Sequence, residues 1–398
     1  MQVVSPLEHS PIGTFMEIAG LDGRFGEEYR VAAFIPDDLP ESIDLPASTW
    51  QAIAHAMAAV SRLDAVSHLV PNPMFVARID TRREALGTSA LEGTFGELPE
   101  LLTAEEQRGV AAARIEPRLR EILNYAEAAE LAYQTIRSRP ISLSLLDELQ
   151  AIIVRGGASD GADAGTLRRT PVFIGDPGRR ISEARFVPPP PGPHLRGLCL
   201  RWVQWLSAEE PRRSIPLLGR IALAHYQFES IHPYLDGNGR IGRLVAILQM
   251  LEEGVLRSPV LSISSWLRHR DRDYRDHLLR VSESGDFAPW IEFIATAFDE
   301  EATMSLRRIE SLLELRGHIV DRVKTELPRA RLAVTIAEDL IAFPVLTVAA
   351  VERRYGKSNP ATRAAVGSLA EIGVLEQMND ATYARVYGSR EVLRLIEE

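Results

Sequence analysis

The sequence predicts a mainly α-helical protein that carries a β-hairpin and ends in a small module of three helices and a second hairpin. Three observations predict it. Apolar residues recur at helical spacing over most of the chain between Ser48 and Glu326. One segment at 171–191, PVFIG-DPGRRISEA-RFVPPPP, has two short apolar runs around turn residues. After Pro328 the helical segments become short and close on two brief apolar runs.

Residues 1 to about 45 are rich in Pro, Gly and acidic residues, and they read as an irregular arm with one short strand, YRVAAFIP. Helical patterns follow at Ser48–Leu63, with Trp50, Ile53, Ala54, Met57 and Val60 in register, and at Met74–Leu91, Arg118–Ser138 and Leu143–Val154. The 171–191 segment reads as an exposed hairpin, because four consecutive prolines cannot sit inside a sheet. Helices resume at His194–Leu206, Ile215–Ser230, Ile241–Glu253, Ser264–Ser282 and Ala288–Glu326. Beyond Pro328, helical segments at 331–342, 347–355 and 358–371 precede LEQM-NDA-TYARVY, two runs joined by an Asn-Asp turn. That layout is a winged helix-turn-helix. The expected organisation is therefore 1–115, 116–327 and 328–398.

Composition excludes several classes of function. The 398 residues hold 45 Lys+Arg against 55 Asp+Glu, a net −10, which argues against a general basic field for nucleic acid. The single cysteine, Cys199, permits neither a disulfide framework nor a cysteine zinc site within the chain. The start, MQVVSPLEHSPIG, has no signal-like apolar stretch. The run LVAILQML is broken by Glu252 and Glu253, well short of the roughly 20 apolar residues of a membrane span. A soluble cytoplasmic protein with no membrane partner is expected.

The chemistry concentrates in HPYLDGNGRIGR, His232 to Arg243. Gly237 and Gly239 permit positive φ and close backbone approach, so their amides can converge on an anion. Asn238 is a good N-cap for a helix whose positive end points at the same spot. Arg240 and Arg243, three apart, share a face of its first turn, where cations are unfavourable unless a polyanion binds nearby. Asp236 is a hard oxygen ligand suited to Mg²⁺ between protein and phosphates. His232 is the group able to act as a base near neutral pH. Together these residues make a nucleotide-phosphate site with a base beside it, suited to phosphoryl or nucleotidyl transfer to a hydroxyl.

The longer stretch AHYQFESIHPYLDGNGRIGRLV resembles the signature of Fic-domain proteins, HPF-x-[DE]-GNGR-xx-R, with Tyr234 where Phe is usual. The resemblance implies a helical Fic fold with a β-hairpin flap, and transfer of AMP from ATP to a Ser, Thr or Tyr hydroxyl of a target protein, or of the chain itself. It would make His232 the base and Asp236 the Mg²⁺ ligand. Gly237, Asn238 and Gly239 would form the anion hole, with Arg240 on the β-phosphate and Arg243 on the γ-phosphate. The 171–191 hairpin resembles the flap, preceded by GTLRR; Val172, Phe173, Ile174, Gly175, Phe186 and Val187 would dock the target as an added strand. WLRHRDRDYRDHL resembles a helix near the nucleotide, retaining Tyr274 but without an evident Asn or second Tyr. Homodimers, common in the family, are a further implied partner.

Upstream, REALGTSALEGTFGEL places Thr88, Glu92 and Gly93 on the pattern [ST]-xxx-E-[GN], which is similar to the family's inhibitory-helix motif, here about residues 80–93. Thr88 and Glu92 share a helix face, and Gly93 follows as a stop. By this resemblance Glu92 reaches Arg243 and bars the productive ATP pose. Three alternatives stay open: removal of AMP, transfer of another nucleotide, and a nucleotide-sensing transcription regulator. The last would bind DNA through Arg353, Arg354, Lys357, Arg363 and Arg385. The 329–398 module is neutral, with nine Lys+Arg and nine Asp+Glu, so protein docking competes with DNA binding.

Overall fold

The computed structural model describes residues 9–68, 73–111, 115–157, 159–176, 178–379 and 385–397. Its first elements are strands β1 (Gly13–Asp22) and β2 (Glu27–Pro36), an antiparallel hairpin with Gly13 opposite Pro36 and Asp22 opposite Glu27. The irregular arm expected here is therefore a complete hairpin. Most of β1 is exposed or half-buried, so it lacks the apolar alternation that marks a strand packed on a core. Only the end of β2, Ala33 to Pro36, is buried.

Five helices follow: α1 (Ala47–Ser67), α2 (Pro73–Leu91), α3 (Leu98–Ala111), α4 (Pro117–Thr135) and α5 (Leu143–Val154). Pro117 opens α4, where its missing N–H costs nothing, and Ser142 caps α5 by accepting from Leu145 N. After the ribbon come α6 (Pro193–Ser207), α7 (Glu209–Ser214), α8 (Leu217–Ile231), α9 (Asn238–Glu252), α10 (Ser264–His269), α11 (Asp271–Ser284) and α12 (Ala288–Glu326). The single helix expected over 264–282 is two, because Arg270 leaves helical geometry at φ −124 and ψ 29. Among the described residues, no helix is long and apolar enough to cross a membrane.

The principal core gathers around α8 and α9, which are buried nearly all round. Helix α2 is equally central. Gly87 lets it approach α10 so closely that a Cβ there would lie 2.7 Å from Ser265 N. The C-terminal elements are α13 (Arg331–Asp339), β3 (Val345–Thr347), α14 (Val348–Tyr355), α15 (Asn359–Glu371), β4 (Glu376–Gln377), β5 (Val386–Gly388) and α16 (Arg390–Glu397). Their strands pair antiparallel in the order β3-β5-β4. Residues 380–384, which hold most of the expected turn, lie outside the described residues. This second core takes in Leu312 to Val323 of α12, Ile79 of α2, and Leu98 and Leu102 of α3. Arg83 of α2 also donates to the Ile396 carbonyl. The C-terminal elements thus sit directly on α2.

The ribbon at 171–191 differs from an exposed hairpin. Its two arms meet at one bridge, Ile174 with Phe186, through paired backbone bonds of 2.9 and 3.0 Å. The second arm then turns inward, and Val187, Pro188 and Pro189 are buried. Prolines donate nothing to a ladder, so the pairing cannot extend. The arm is tied down by its carbonyls instead. Val187 O accepts from Phe34 N of β2 at 2.8 Å, and Pro189 O accepts from Arg168.

Candidate active site

Helix α8 ends at His232, which adopts φ 49 and is the one non-glycine residue with positive φ among those described. A histidine in this region is strained and must be held by its surroundings. Arg168 holds it. Its backbone N–H donates to Pro233 O at 3.0 Å and its Nε to His232 O at 2.8 Å. Burial without a carboxylate partner pushes the Arg168 pKa down to about 10. Because the same guanidinium reaches Pro189 O, one side chain fixes both the ribbon's base and the loop.

The rest of the loop is bracketed from inside. Asn238 accepts from Tyr234 N and donates to Tyr234 O, both at 2.8 Å. The N-cap of α9 is Gly237 at φ 85, not Asn238, whose amide is spent closing the turn. The N-cap expected at Asn238 therefore gives way to a loop-closing role, and its backbone N–H remains for an anion. Tyr234 OH donates to Asp147 at 2.9 Å, and Gln150 donates to Asp236 O at 3.0 Å.

Both arginines of α9 are buried and paired. Arg243 donates from Nε to Thr88 Oγ1 at 2.8 Å, and from Nη2 to Thr88 O at 3.2 Å and Glu92 Oε1 at 2.5 Å. Burial opposes charge on Glu92, but Arg243 outweighs it, helped by Arg240 and His232, and the carboxyl pKa falls below its usual value. A Cβ on Gly239 would come within 2.2 Å of Glu92 Oε1, so a glycine is required for this contact. Gly93, at φ 88, ends the turn after α2. Arg240 pairs with Glu121 of α4 at 2.6 Å and Asp236 at 2.9 Å. Thr94 Oγ1 donates to the other oxygen of Glu121, tying this pair to the end of α2 as well.

Burial pushes the His232 pKa down to about 4, so the ring is neutral across the physiological range. Nδ1 faces the Glu229 carbonyl at 3.3 Å, and Nε2 makes no hydrogen bond to the described residues. His232 lines a cavity of about 590 Å³ together with Glu92, Gly239, Arg243, Ile174, Gly175, Phe186 and Tyr274. Asp236, Arg240 and Gly93 line a neighbouring cleft of about 560 Å³. Thr88 and Val187 are buried behind these walls, Phe173 packs edge-on against Tyr29 of β2 with ring centroids 5.2 Å apart, and Val172 is half-buried. Tyr274 bonds to His225 Nε2 at 2.7 Å, which joins core and cavity.

Asp236 Oδ1 is taken by Arg240, while Oδ2 accepts nothing from the described residues. Among those residues no group of three or more His, Cys, Asp or Glu could hold a metal. One free carboxylate oxygen suits an ion that arrives with phosphates and keeps its waters. Arg168, Glu121, Glu229, Gln150 and Gly242 are the functional-site neighbours that the motif reading passed over. Glu229 left a legible signal: it is the one acid of α8, three residues before the base.

Residues 50–134 match the Fic/DOC family N-terminal model, and residues 140–250 match the Fic/DOC family model. The protein adenylyltransferase Fic of Culex quinquefasciatus is 33% identical over 175 residues, 44% of this chain and 31% of that protein. Its counterpart from Drosophila grimshawi is 32% identical over 150 residues, 38% of this chain and 27% of that protein. The match spans about a third or less of these relatives' own length. The crystal structure of a Fic family protein from Desulfovibrio desulfuricans G20 aligns with a TM-score of 0.55, over 88% of this chain and 98% of that one. At 19% identity that likeness shows a shared fold. The chain belongs to the Fic family.

Proposed function

We propose that this chain transfers AMP from ATP to a Ser, Thr or Tyr hydroxyl of a protein, and that Glu92 holds it inactive. The observation that carries the reading is the contact of Glu92 and Thr88 with the buried Arg243, in the cavity that also holds the neutral His232. An arginine kept for a phosphate needs an anion when the nucleotide is away, and Glu92 supplies one. In the reaction, His232 Nε2 takes the hydroxyl proton as the oxygen attacks the α-phosphorus, and the bond to the departing pyrophosphate breaks. Backbone amides of Gly237, Asn238 and Gly239 hold phosphate oxygens, with Arg240 and Arg243 on the β- and γ-phosphates. Asp236 would hold Mg²⁺, which neutralises phosphate charge when bound. The free edge of the Val172–Gly175 arm receives the target backbone, since the Phe186–Val187 arm is already paired with β2. Residues 328–398 are read as a winged helix-turn-helix that braces α2.

Labelled AMP incorporation tests this. Glu92→Gly is expected to raise incorporation by about tenfold or more, and His232→Ala to lower that raised rate by about 10²–10⁴. An unchanged rate for Glu92→Gly at saturating ATP would remove Glu92 as the brake.

A further inference from the structure

Glu229 is a buried acid for which the roles above have no use. It lies on the last turn of α8, where its Oε2 faces His232 Nδ1 at 3.9 Å and its Oε1 faces His225 Nε2 at 4.0 Å. Oε1 is buried with no hydrogen-bond partner among the described residues. Space for the carboxyl is provided by Gly242, since a Cβ there would stand 2.6 Å from Glu229 Oε1 and 3.1 Å from His225 Cε1. Burying a carboxyl without full hydrogen bonding costs stability, and an apolar side chain would fill this site more cheaply. A costly acid fitted against a glycine and aimed at the ring of the base points to work on that base.

We infer that Glu229 is a positioning residue for His232, its carboxylate standing behind Nδ1–H to hold the ring and offset the positive charge formed at the base. The inference rests on the AMP-transfer reading. Among the described residues, Nδ1 faces acceptors from Glu229, its carbonyl and its carboxyl, so Nδ1 carries the hydrogen and Nε2 keeps the lone pair. When Nε2 accepts the target's hydroxyl proton, the ring gains one positive charge and loses nothing from Nδ1. The carboxylate beside Nδ1–H then stabilises the imidazolium, so the help is felt as the proton transfers and hardly in ATP binding. Burial pushes the Glu229 pKa up to about 7; Arg243 of α9 and Arg275 of α11 favour its charge, and Glu92 of α2 opposes it. Around the His232 ring, Glu92 and Asp236 favour charge and Arg168 opposes it. His225 and Tyr274, bonded to each other, close the far side.

Two measurements test the assignment. In a Glu92→Gly background, Glu229→Gln should lower kcat by about tenfold or more and leave KM for ATP within about twofold. Gln keeps the shape, so retained kcat would overturn the proposal. In the otherwise unaltered protein labelled with ¹⁵N-histidine, the His232 ring signals, identified by their loss in His232→Ala, should sense an ionisation near pH 7. Glu229→Gln should abolish that step; identical titrations in the two proteins would also overturn it. If Glu92→Gly incorporates no AMP, the reaction reading falls, while the histidine titration still decides the role of Glu229.

Discussion

Helix α2 meets charge at its C-terminal end and at its middle, and the two places are made differently. At its C-terminal end one guanidinium, Arg243, meets one carboxylate and a threonine, with three hydrogen bonds. Midway along the helix Asp80, Arg83 and Glu84 meet Glu301 and Arg308 of α12, three carboxyls against two guanidiniums. There the Arg308–Asp80 pair is 3.7 Å apart, and Asp80 Oδ2, Arg83 Nε, Glu301 Oε2 and Arg308 Nε have no hydrogen-bond partner among the described residues. Glu84 alone is well served, by Ser262 and Ser264. Good geometry repays the burial of charge, whereas poor geometry leaves most of the desolvation cost standing. The latch end is matched and the mid-helix cluster is not.

The largest effect is expected from breaking the matched end. Arg243→Ala removes a large buried side chain and leaves the buried Thr88 without its donor, and should cost about 3 kcal/mol in urea unfolding. Glu92→Gln should cost clearly less, because Arg243 keeps both bonds to Thr88. Equal losses in the two variants would mean that the carboxylate carries the whole contact. Next comes the seam between the cluster and the latch. Gly87→Ala puts a methyl 2.7 Å from Ser265 N and 2.9 Å from Ser264 C, both backbone atoms that cannot swing aside. About 1–3 kcal/mol should be lost. Because α2 must shift away from α10, labelled AMP incorporation should also rise. Loss of stability with no change in incorporation would show the latch end to be independent of the seam.

Much of this fold is legible in the sequence because helical periodicity survives wherever a helix is half-buried. Leu143–Val154 and Ala288–Glu326 are read to the residue. The elements that escaped have little periodicity to offer: β1 is largely exposed, α7 is six residues long, and α16 follows a three-residue strand. In the site, sequence singles out the residues whose type announces their chemistry, His232, Asp236, Arg243 and Glu92. It passes over those whose role depends on distance. Glu121 lies 119 positions from Arg240, and nothing local marks it as a partner. Arg168 is visible only as part of GTLRR, yet it grips three successive backbone carbonyls, those of Ile231, His232 and Pro233. Asn238 misleads for the same reason, since its capping ability is real but Tyr234 is nearer.

The unmatched cluster makes the last prediction, one that depends on pH. Burial pushes the Glu301 pKa up to about 7, with Arg83 and Arg308 pulling it down and Glu84 and Asp80 adding to the rise. The folded state thus binds this proton more tightly than the unfolded chain, whose Glu titrates near 4.5. Stability from Glu301 is present in full below about pH 4.5 and is lost as pH rises through about 7. Glu301→Gln keeps the shape and removes the titration, so it should stabilise the protein at pH 8 by about 2 kcal/mol and change little at pH 4.5. Glu92→Gln should behave oppositely. The Glu92 pKa is lowered in the fold, so its contribution is present above its unfolded value and lost as pH falls through the folded one. Urea midpoints of both variants at the two pH values measure this. Opposite signs at pH 8 would mark the C-terminal end of α2 as a latch and its middle as stored strain, and equal signs would erase the distinction.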